Sequence, residues 1–541
     1  MIIFWNNKNN YFTRMESSSY GTMPIIPSKV SAKRETWSQL VAINVNNVLL
    51  LSNGMAAGYA TILIPGLLSD NDKAMVLTET EISWIGSLSY MCSIIGCFLS
   101  GMITQPIGRT RAVHLVCPFL FASLLIFKFA TQMWHIYIAL CLCGCLVALI
   151  DAPMLSYKAE ICQPHLRGML SATSTVSVIT GVLLQFILGT FFHWRTVAVI
   201  SSSLPFIGFI LLFFIPESPH WFIMHNKIDK AQRSLAWLRG WTTIENVEEE
   251  FQQMWNNYKE VSSYESFKVD CNTQTSEKFD WKQSLLLYVR KNFLWPLGLV
   301  SFLFFLANFT GICTLQTYAV SIFGTLQAPM DNYYATVTLG VTQVVGSFLS
   351  LFVVKYFGKR VMGFVSVLGL AFCNAVVGIY AFMIKAKYLI FEVESDNSLR
   401  SDYAWIPLCT LIAMAFIGHV GIRVLPWILL SEIFPHETRA IGCGIGSAIF
   451  YLIAFLANKV FLRLTSYLQF AGVCWFYAAI SVFGFIIMYF FLPETEGKDL
   501  QDVINHFAEV SQLDDKVKRE IKTNSKSHTS HTTISTVEDK V

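Results

Sequence analysis

Twelve stretches of this chain are long and apolar enough to cross a bilayer, and that count restricts the fold more than any other feature. A helix needs about 20 apolar residues to span roughly 30 Å of hydrocarbon. The candidates are 40–64, 82–103, 113–131, 135–156, 168–191 and 196–215, then 295–321, 335–354, 361–384, 405–430, 441–462 and 470–492. They fall as six, a long hydrophilic connection over 216–294, and six more. Composition agrees, since 54% of the 541 residues are apolar and only 14% charged, against about 25% charged in soluble proteins. Forty-three Phe and fourteen Trp suit lipid-facing helices and their interfacial belts. A net charge of +3 is too small and too dispersed for nucleic-acid binding.

The first 36 residues are polar and hold no signal-peptide pattern, so the first span is expected to act as its own insertion signal. Most of the thirteen cysteines lie in apolar segments. Cys141, Cys143 and Cys145 point in different directions on a helix, which reads as core packing rather than a metal site. Few cysteines fall in external connections, which argues against a disulfide framework.

Orientation follows from Lys and Arg. Connections after even-numbered spans hold Arg109, Arg111, Lys158, Arg167, Lys355, Lys359, Arg360 and Arg439. After odd-numbered spans, 65–81 has only Lys73 and 322–334 has none; 385–404, with Lys385, Lys387 and Arg400, departs from the pattern. Both termini and the 216–294 connection are therefore expected in the cytoplasm. In that connection Ile228, Ala231, Leu235 and Leu238 recur at helical spacing, as do Val247, Phe251 and Met254. They predict amphipathic helices against the inner face of the bundle. Residues 499–541 turn Ser-, Thr- and Lys-rich and are expected to be disordered.

The two halves repeat. Glu160 is followed seven positions on by Arg167, and Glu432 by Arg439, with an offset of 272 residues. Gly108-Arg109-Thr110-Arg111 after span two is answered by Gly358-Lys359-Arg360 after span eight. Pro216-Glu217-Ser218-Pro219 after span six is answered by Pro493-Glu494-Thr495 after span twelve. With the Pro426-Trp427 pair, this set resembles the sugar porters of the major facilitator superfamily, in particular the arthropod facilitated trehalose transporters and animal facilitative glucose transporters. The resemblance covers about residues 38 to 500. It implies an all-α membrane protein of the major facilitator fold, with twelve transmembrane helices in two six-helix bundles related by pseudo-twofold symmetry. The implied division is an N-terminal segment (1–36), a first bundle (37–215), a cytoplasmic helical connection (216–294), a second bundle (295–492) and a tail (493–541). A monomer at the plasma membrane, with no cofactor and no metal, is the corresponding expectation for its setting.

The resemblance also implies roles. Charges at cytoplasmic helix ends close the inner gate in the outward-open state; by position these are Arg109, Glu160, Arg167, Glu217, Lys359, Arg360, Glu432, Arg439 and Glu494. The alternative is anchoring by charges that reach the interface. Where the family usually has an acidic residue before Gly-Arg, this chain has Gln105 and Lys355, which reweights the latch. A sugar site wants amide side chains and an aromatic platform. Trp427 matches the span-ten tryptophan, and Gln343 is polar where span eight has Asn. Elsewhere the chain departs: Thr175 replaces Gln on span five, Ala307-Asn308 a Gln pair and Cys313 an Asn on span seven, and Phe450-Tyr451 an Asn-Trp pair on span eleven. Asn308, Thr310 and Gln316 keep polarity on span seven, and the sequon Asn308-Phe309-Thr310 lies in the membrane.

Two charges sharpen the alternative. Asp151 stands nine residues before Glu160, about 13 Å along the helix, near the bilayer midplane where ionisable groups are costly and usually functional. Arg423 stands nine before Glu432, at the same depth in the other half. Either they face one another as an ion pair and hold a charged or zwitterionic solute, or each is satisfied within its own bundle. His419 either tunes such a pair or is an ordinary packed histidine. Proton-coupled sugar porters commonly carry an Asp in span one, where this chain has Asn44, Asn46, Asn47 and Asn53. The reading is thus facilitative uniport of a hexose or trehalose. The alternatives are a carrier of a charged solute and a transport-dead solute sensor. No nucleophile–base or metal-ligand constellation supports an enzyme.

Overall fold

The computed structural model describes residues 32–69, 77–256, 258–259, 291–390, 403–434, 439–496, 498 and 506–507, with side chains at 32, 164–172, 292, 431–432 and 439–440 outside that description. The expectations for the start of the chain and for nearly all of 499–541 lie outside it.

Among the described residues ten helices are long and apolar enough to cross a membrane. One of the ten holds two spans, and one further span is too broken to be counted among them. Arg439–Phe491 runs through Gln469, whose φ of 60° and ψ of 166° are not helical, so spans eleven and twelve meet there at a corner. Span seven is broken into Lys291–Phe309, Ile312–Thr317 and Ala319–Thr325. The first half comprises Ala32–Ser69, Glu79–Ile107, Arg109–Phe129, Met133–Ile161, Pro164–Phe191 and Trp194–Leu211. In the second half, span eight is Asn332–Phe357, span nine Lys359–Met383, and span ten Trp405–Val420 with Leu425–Glu432. Several helices outrun the apolar stretches because protein, not lipid, covers their ends. Glu35, Ser38 and Gln39 at the start of span one are buried. For the same reason Lys158 is no connection residue: it lies inside Met133–Ile161 and is 2% exposed.

The two breaks have local causes. Gly311 has φ +89°, and a Cβ there would meet the Tyr477 ring at 2.8 Å. Asn374 repairs the exposed backbone by donating Nδ2 to Thr310 O at 3.0 Å. At Gly421, Ser366 Oγ donates to Ile417 O at 2.9 Å and accepts from Ile422 N at 3.0 Å. Inside a membrane such freed groups need protein partners, and one side chain from span nine supplies them at each break. Within the first half, spans one and five close on small residues: a Cβ on Gly54 would sit 1.9 Å from Val178 O, and one on Gly181 2.1 Å from Leu51 O.

The halves meet along spans two and eleven and along spans five and eight. Ser83 Oγ donates to Lys459 O at 3.0 Å, and Thr61 Oγ1 to Gln316 O at 2.7 Å. Both bonds lie toward the end remote from the 216–294 connection. That connection carries helices at Pro219–Met224 and Ile228–Leu238, followed by helical residues after Val247. Ala231, Leu235, Leu238, Val247 and Phe251 are buried and Met254 packs beside them, whereas Ile228, at the helix start, is exposed. The helices are tied to the first half, with Ser38 Oγ donating to Leu238 O at 2.7 Å and Arg239 Nη1 to Ile161 O at 3.3 Å.

Candidate functional site

Span four carries Asp151 to the middle of the molecule, half-buried. Asn53 Nδ2 of span one donates to its Oδ1 at 2.6 Å. The Tyr451 hydroxyl of span eleven donates to its Oδ2 at 2.7 Å, a bond that joins the two halves. Arg423 sits in the break of span ten. It donates Nη1 to Asn308 Oδ1 at 3.2 Å, and its guanidinium lies 5.7 Å from the Phe450 ring centroid. Of the two arrangements the sequence leaves open, the Asp151–Arg423 ion pair is not made in this conformation: Phe450 and Tyr451, adjacent on span eleven, engage the two charges separately, and the Asp151 bond to Tyr451 crosses between the halves. His419 is buried, with Nδ1 2.9 Å from Ala415 O of its own helix.

An aromatic wall adjoins this array. The Trp427 ring lies 5.1 Å from Phe304 and 4.9 Å from Phe450, centroid to centroid. Asn308 Nδ2 donates to Phe304 O at 2.8 Å, so that amide is used at both ends. Other buried groups are not used. Thr310 Oγ1, Gln316 Oε1 and both amide atoms of Gln343 have no hydrogen-bond partner. A buried polar group left this way costs about 1–3 kcal/mol, which a hydroxyl-bearing solute can offset. Contacts therefore bring Asp151, Tyr451, Arg423, Asn308 and Trp427 together. Thr310, Gln316 and Gln343 stand as separate orphaned groups, and Thr175 is half-buried on span five.

At the end bearing the termini, the repeat motifs form two matching caps. Gly108 turns the chain with φ +113°, and a Cβ there would lie 2.4 Å from Glu217 Oε2. The Glu217 carboxylate accepts from the backbone N–H of Arg109 at 2.9 Å, Thr110 at 3.1 Å and Arg111 at 3.2 Å, and from Thr110 Oγ1 at 2.8 Å. It is a carboxylate on the positive end of span three. Glu494 does the same for span nine, accepting from Lys359 N at 3.1 Å and Arg360 N at 3.0 Å beside Gly358, φ +85°. Arg109 donates Nε and Nη2 to Glu160 Oε1 at 3.0 and 2.8 Å, and the Ser218 hydroxyl donates to Glu160 Oε2. Lys359 Nζ pairs with Glu496 at 3.0 Å, while Arg360 donates Nη2 to Tyr489 O at 2.7 Å. Each of these bonds lies within one half. The side chains of Arg167, Glu432 and Arg439 lie outside the described residues. Among the described residues no group of three His, Cys, Asp or Glu side chains could hold a metal ion.

Set against known families, the sequence profile described as sugar (and other) transporter matches residues 31–507. The chain belongs to that family. It is 26% identical over 468 residues to a Bombyx mori protein named facilitated trehalose transporter Tret1, covering 86% of each chain. An Apis mellifera ligustica protein of the same name is 27% identical over 484 residues, covering 89% of this chain and 90% of its own. Among solved structures, the proton:xylose symporter XylE bound to 6-bromo-6-deoxy-D-glucose matches with TM-score 0.66 and 20% identity, over 87% of this chain and 99% of that one. The partially occluded inward-open form of XylE from E. coli matches with TM-score 0.65 and 19% identity, over 86% and 100%. These likenesses give the fold: the major facilitator architecture of twelve spans in two six-helix bundles. The chain is a multi-pass membrane transporter, not an enzyme.

Several residues of this family member escaped sequence reasoning. Asn53 is a partner of Asp151, and its only signal was the run of Asn on span one. Lys158 donates Nζ to Asn47 Oδ1 at 2.8 Å and to Ser174 Oγ at 2.5 Å, with no described carboxylate in ion-pair range. By charge and position alone it groups with the orienting residues. Ser218 and Glu496 join the end caps, and only their position beside Glu217 and Glu494 pointed to them.

Proposed function

We propose that this transporter carries an uncharged sugar, a hexose or trehalose, down its gradient by alternating access. The observation that carries the reading is the set of buried, unpartnered hydroxyl and amide groups of Thr310, Gln316 and Gln343 on spans seven and eight, in a half that also bears the Trp427 aromatic wall. Neutral donors and acceptors beside aromatic rings suit a ligand with many hydroxyls and no charge. The names of the insect relatives support the same substrate class. Asp151, Tyr451, Asn308, Arg423 and Thr175 would complete the site from both halves. Residues 37–215 and 295–492 would rock as units, joined by 216–294 and followed by the 493–541 tail. The caps of Glu217 and Glu494, with Arg109, Glu160, Lys359 and Arg360, would hold the gate-bearing helix ends, and Arg167, Glu432 and Arg439 would complete the gate. Lys and Arg placement supports cytoplasmic termini; a monomer in the plasma membrane is the setting in which this reading applies.

Uniport is supported by Asn44, Asn46, Asn47 and Asn53 standing on span one where proton-coupled sugar porters commonly carry an Asp, with Asn53 donating to Asp151. A second reading, transport of a solute bearing a carboxylate, is favoured by Arg423, whose guanidinium meets, among the described residues, a neutral amide and an aromatic face. Uptake of labelled trehalose and glucose into proteoliposomes without an ion gradient separates the two. Saturable uptake that stops at equal concentrations supports sugar uniport. Uptake of neither sugar by folded protein turns the assignment to the charged solute, and concentrative uptake driven by acid overturns uniport.

A further inference from the structure

Trp221, in the connection between the halves, is 1% exposed and donates its indole N–H to Gln105 O at 2.8 Å. Two exposed cations approach its ring: the Arg111 guanidinium lies 5.6 Å from the centroid and the Lys227 ammonium 5.1 Å. His225 packs on the same ring at 4.2 Å. Neither cation has a described carboxylate in ion-pair range. Glu217, which touches the Arg111 backbone, uses its oxygens on the N–H groups of the span-three cap. Two like charges gathered at one indole repel each other, and cation–π attraction is a modest compensation. An anion drawn to the pair would offset that repulsion.

The surroundings select the anion. Arg111 lies one turn before His114 on span three, and His114 packs edge-on against Phe213 at 4.2 Å. Phe213, at the end of span six, is 67% exposed on a surface that lipid covers in a protein of this fold. A phosphate drawn to Arg111 and Lys227 thus has an apolar surface nearby for acyl chains. We propose that Arg111 and Lys227, held around Trp221, bind the phosphate of an anionic phospholipid headgroup. The site abuts the Glu217 cap, so an occupying lipid braces the turn that positions Arg109 against Glu160.

The test titrates the full-length protein in neutral detergent with short-chain phosphatidylglycerol, short-chain phosphatidylcholine and inorganic phosphate, followed by native mass spectrometry and melting temperature. Phosphatidylglycerol should bind saturably and raise the melting temperature, with phosphatidylcholine and phosphate both weaker. Anionic-surface attraction of this kind changes affinity roughly fivefold per charge, so Arg111→Gln with Lys227→Gln should weaken phosphatidylglycerol about thirtyfold. Equal binding of the two lipids, or unchanged binding by the double variant, would overturn the site. Phosphate competing as well as the lipid would overturn the lipid assignment. The wild-type comparison stands even if the variant misfolds.

Discussion

Replacing Tyr451 with Phe removes one hydroxyl that bridges the halves and leaves the ring in place. In this conformation that hydroxyl donates to Asp151 Oδ2 at 2.7 Å. Hydrogen bonds to charged groups contribute roughly 1.5–3 kcal/mol net, and a half-buried pair belongs in the lower part, about 2 kcal/mol. The bond exists only while spans four and eleven are in contact, so its loss acts on one state alone. At 1.4 kcal/mol per decade, about 2 kcal/mol moves the equilibrium about thirtyfold away from the conformation described here. A tenfold preference for this state would become a threefold preference against it. Spin labels at Trp134→Cys and Tyr467→Cys, exposed on opposite halves at the end remote from the termini, report the change as a longer distance distribution in a cysteine-free background. Asp151→Ala should match Tyr451→Phe, and the double variant should add little. Identical distributions in wild type and both single variants would refute the reasoning, since the contact would then not be state-selective.

Three further outcomes test the caps and the site. Gly108→Ala combines φ +113° with a Cβ 2.4 Å from Glu217 Oε2 and should cost about 2–4 kcal/mol, read as a lowered melting temperature; Gly101→Ala, with open space around it, should leave the melting temperature unchanged or slightly raised. Glu217→Ala strips the acceptor from four backbone N–H groups, those of Arg109, Thr110, Arg111 and Ser218, and from the Thr110 hydroxyl and should cost about 3 kcal/mol. Glu494→Ala should follow it in the other half, and indifference to either would remove the carboxylate cap. Gln343→Leu takes away an amide that has no partner. It should leave stability equal or up to about 2 kcal/mol higher while weakening sugar uptake, and a clear drop in melting temperature would mean the amide is already bonded within the protein.

Much of the architecture was legible because lipid imposes one rule: a spanning segment must be apolar and satisfy its own backbone. Length and hydropathy located every span, and the 272-residue offset paired the halves. The breaks were not legible. Nothing in the sequence marks Gly311 and Gly421 apart from other glycines in apolar runs; the breaks depend on Asn374 and Ser366 of span nine, which bond the freed backbone. The same holds for Lys158, which belongs to a connection by charge and to the first half's interior by its bonds to Asn47 and Ser174.

The end motifs divide in the same way. Gly-Arg-x-Arg and Pro-Glu-Ser-Pro stand more than a hundred residues apart, and their likeness across the halves was plain in the sequence. That Glu217 caps the helix beginning at Arg109 depends on spans two, three and six ending at one place. At the midplane, residue depth was fixed by counting along a helix, so Asp151 and Arg423 were placed at one level. Which groups face them was set by the packing of span eleven. Phe450 and Tyr451 project differently from neighbouring positions of one helix, so one ring covers the guanidinium while the other hydroxyl reaches the carboxylate. The sequence alone determined the number and pairing of the spans, because those depend on distance along the chain. The partners of each charge depend on helix rotation and on how the two halves close, and only the tertiary structure decided them.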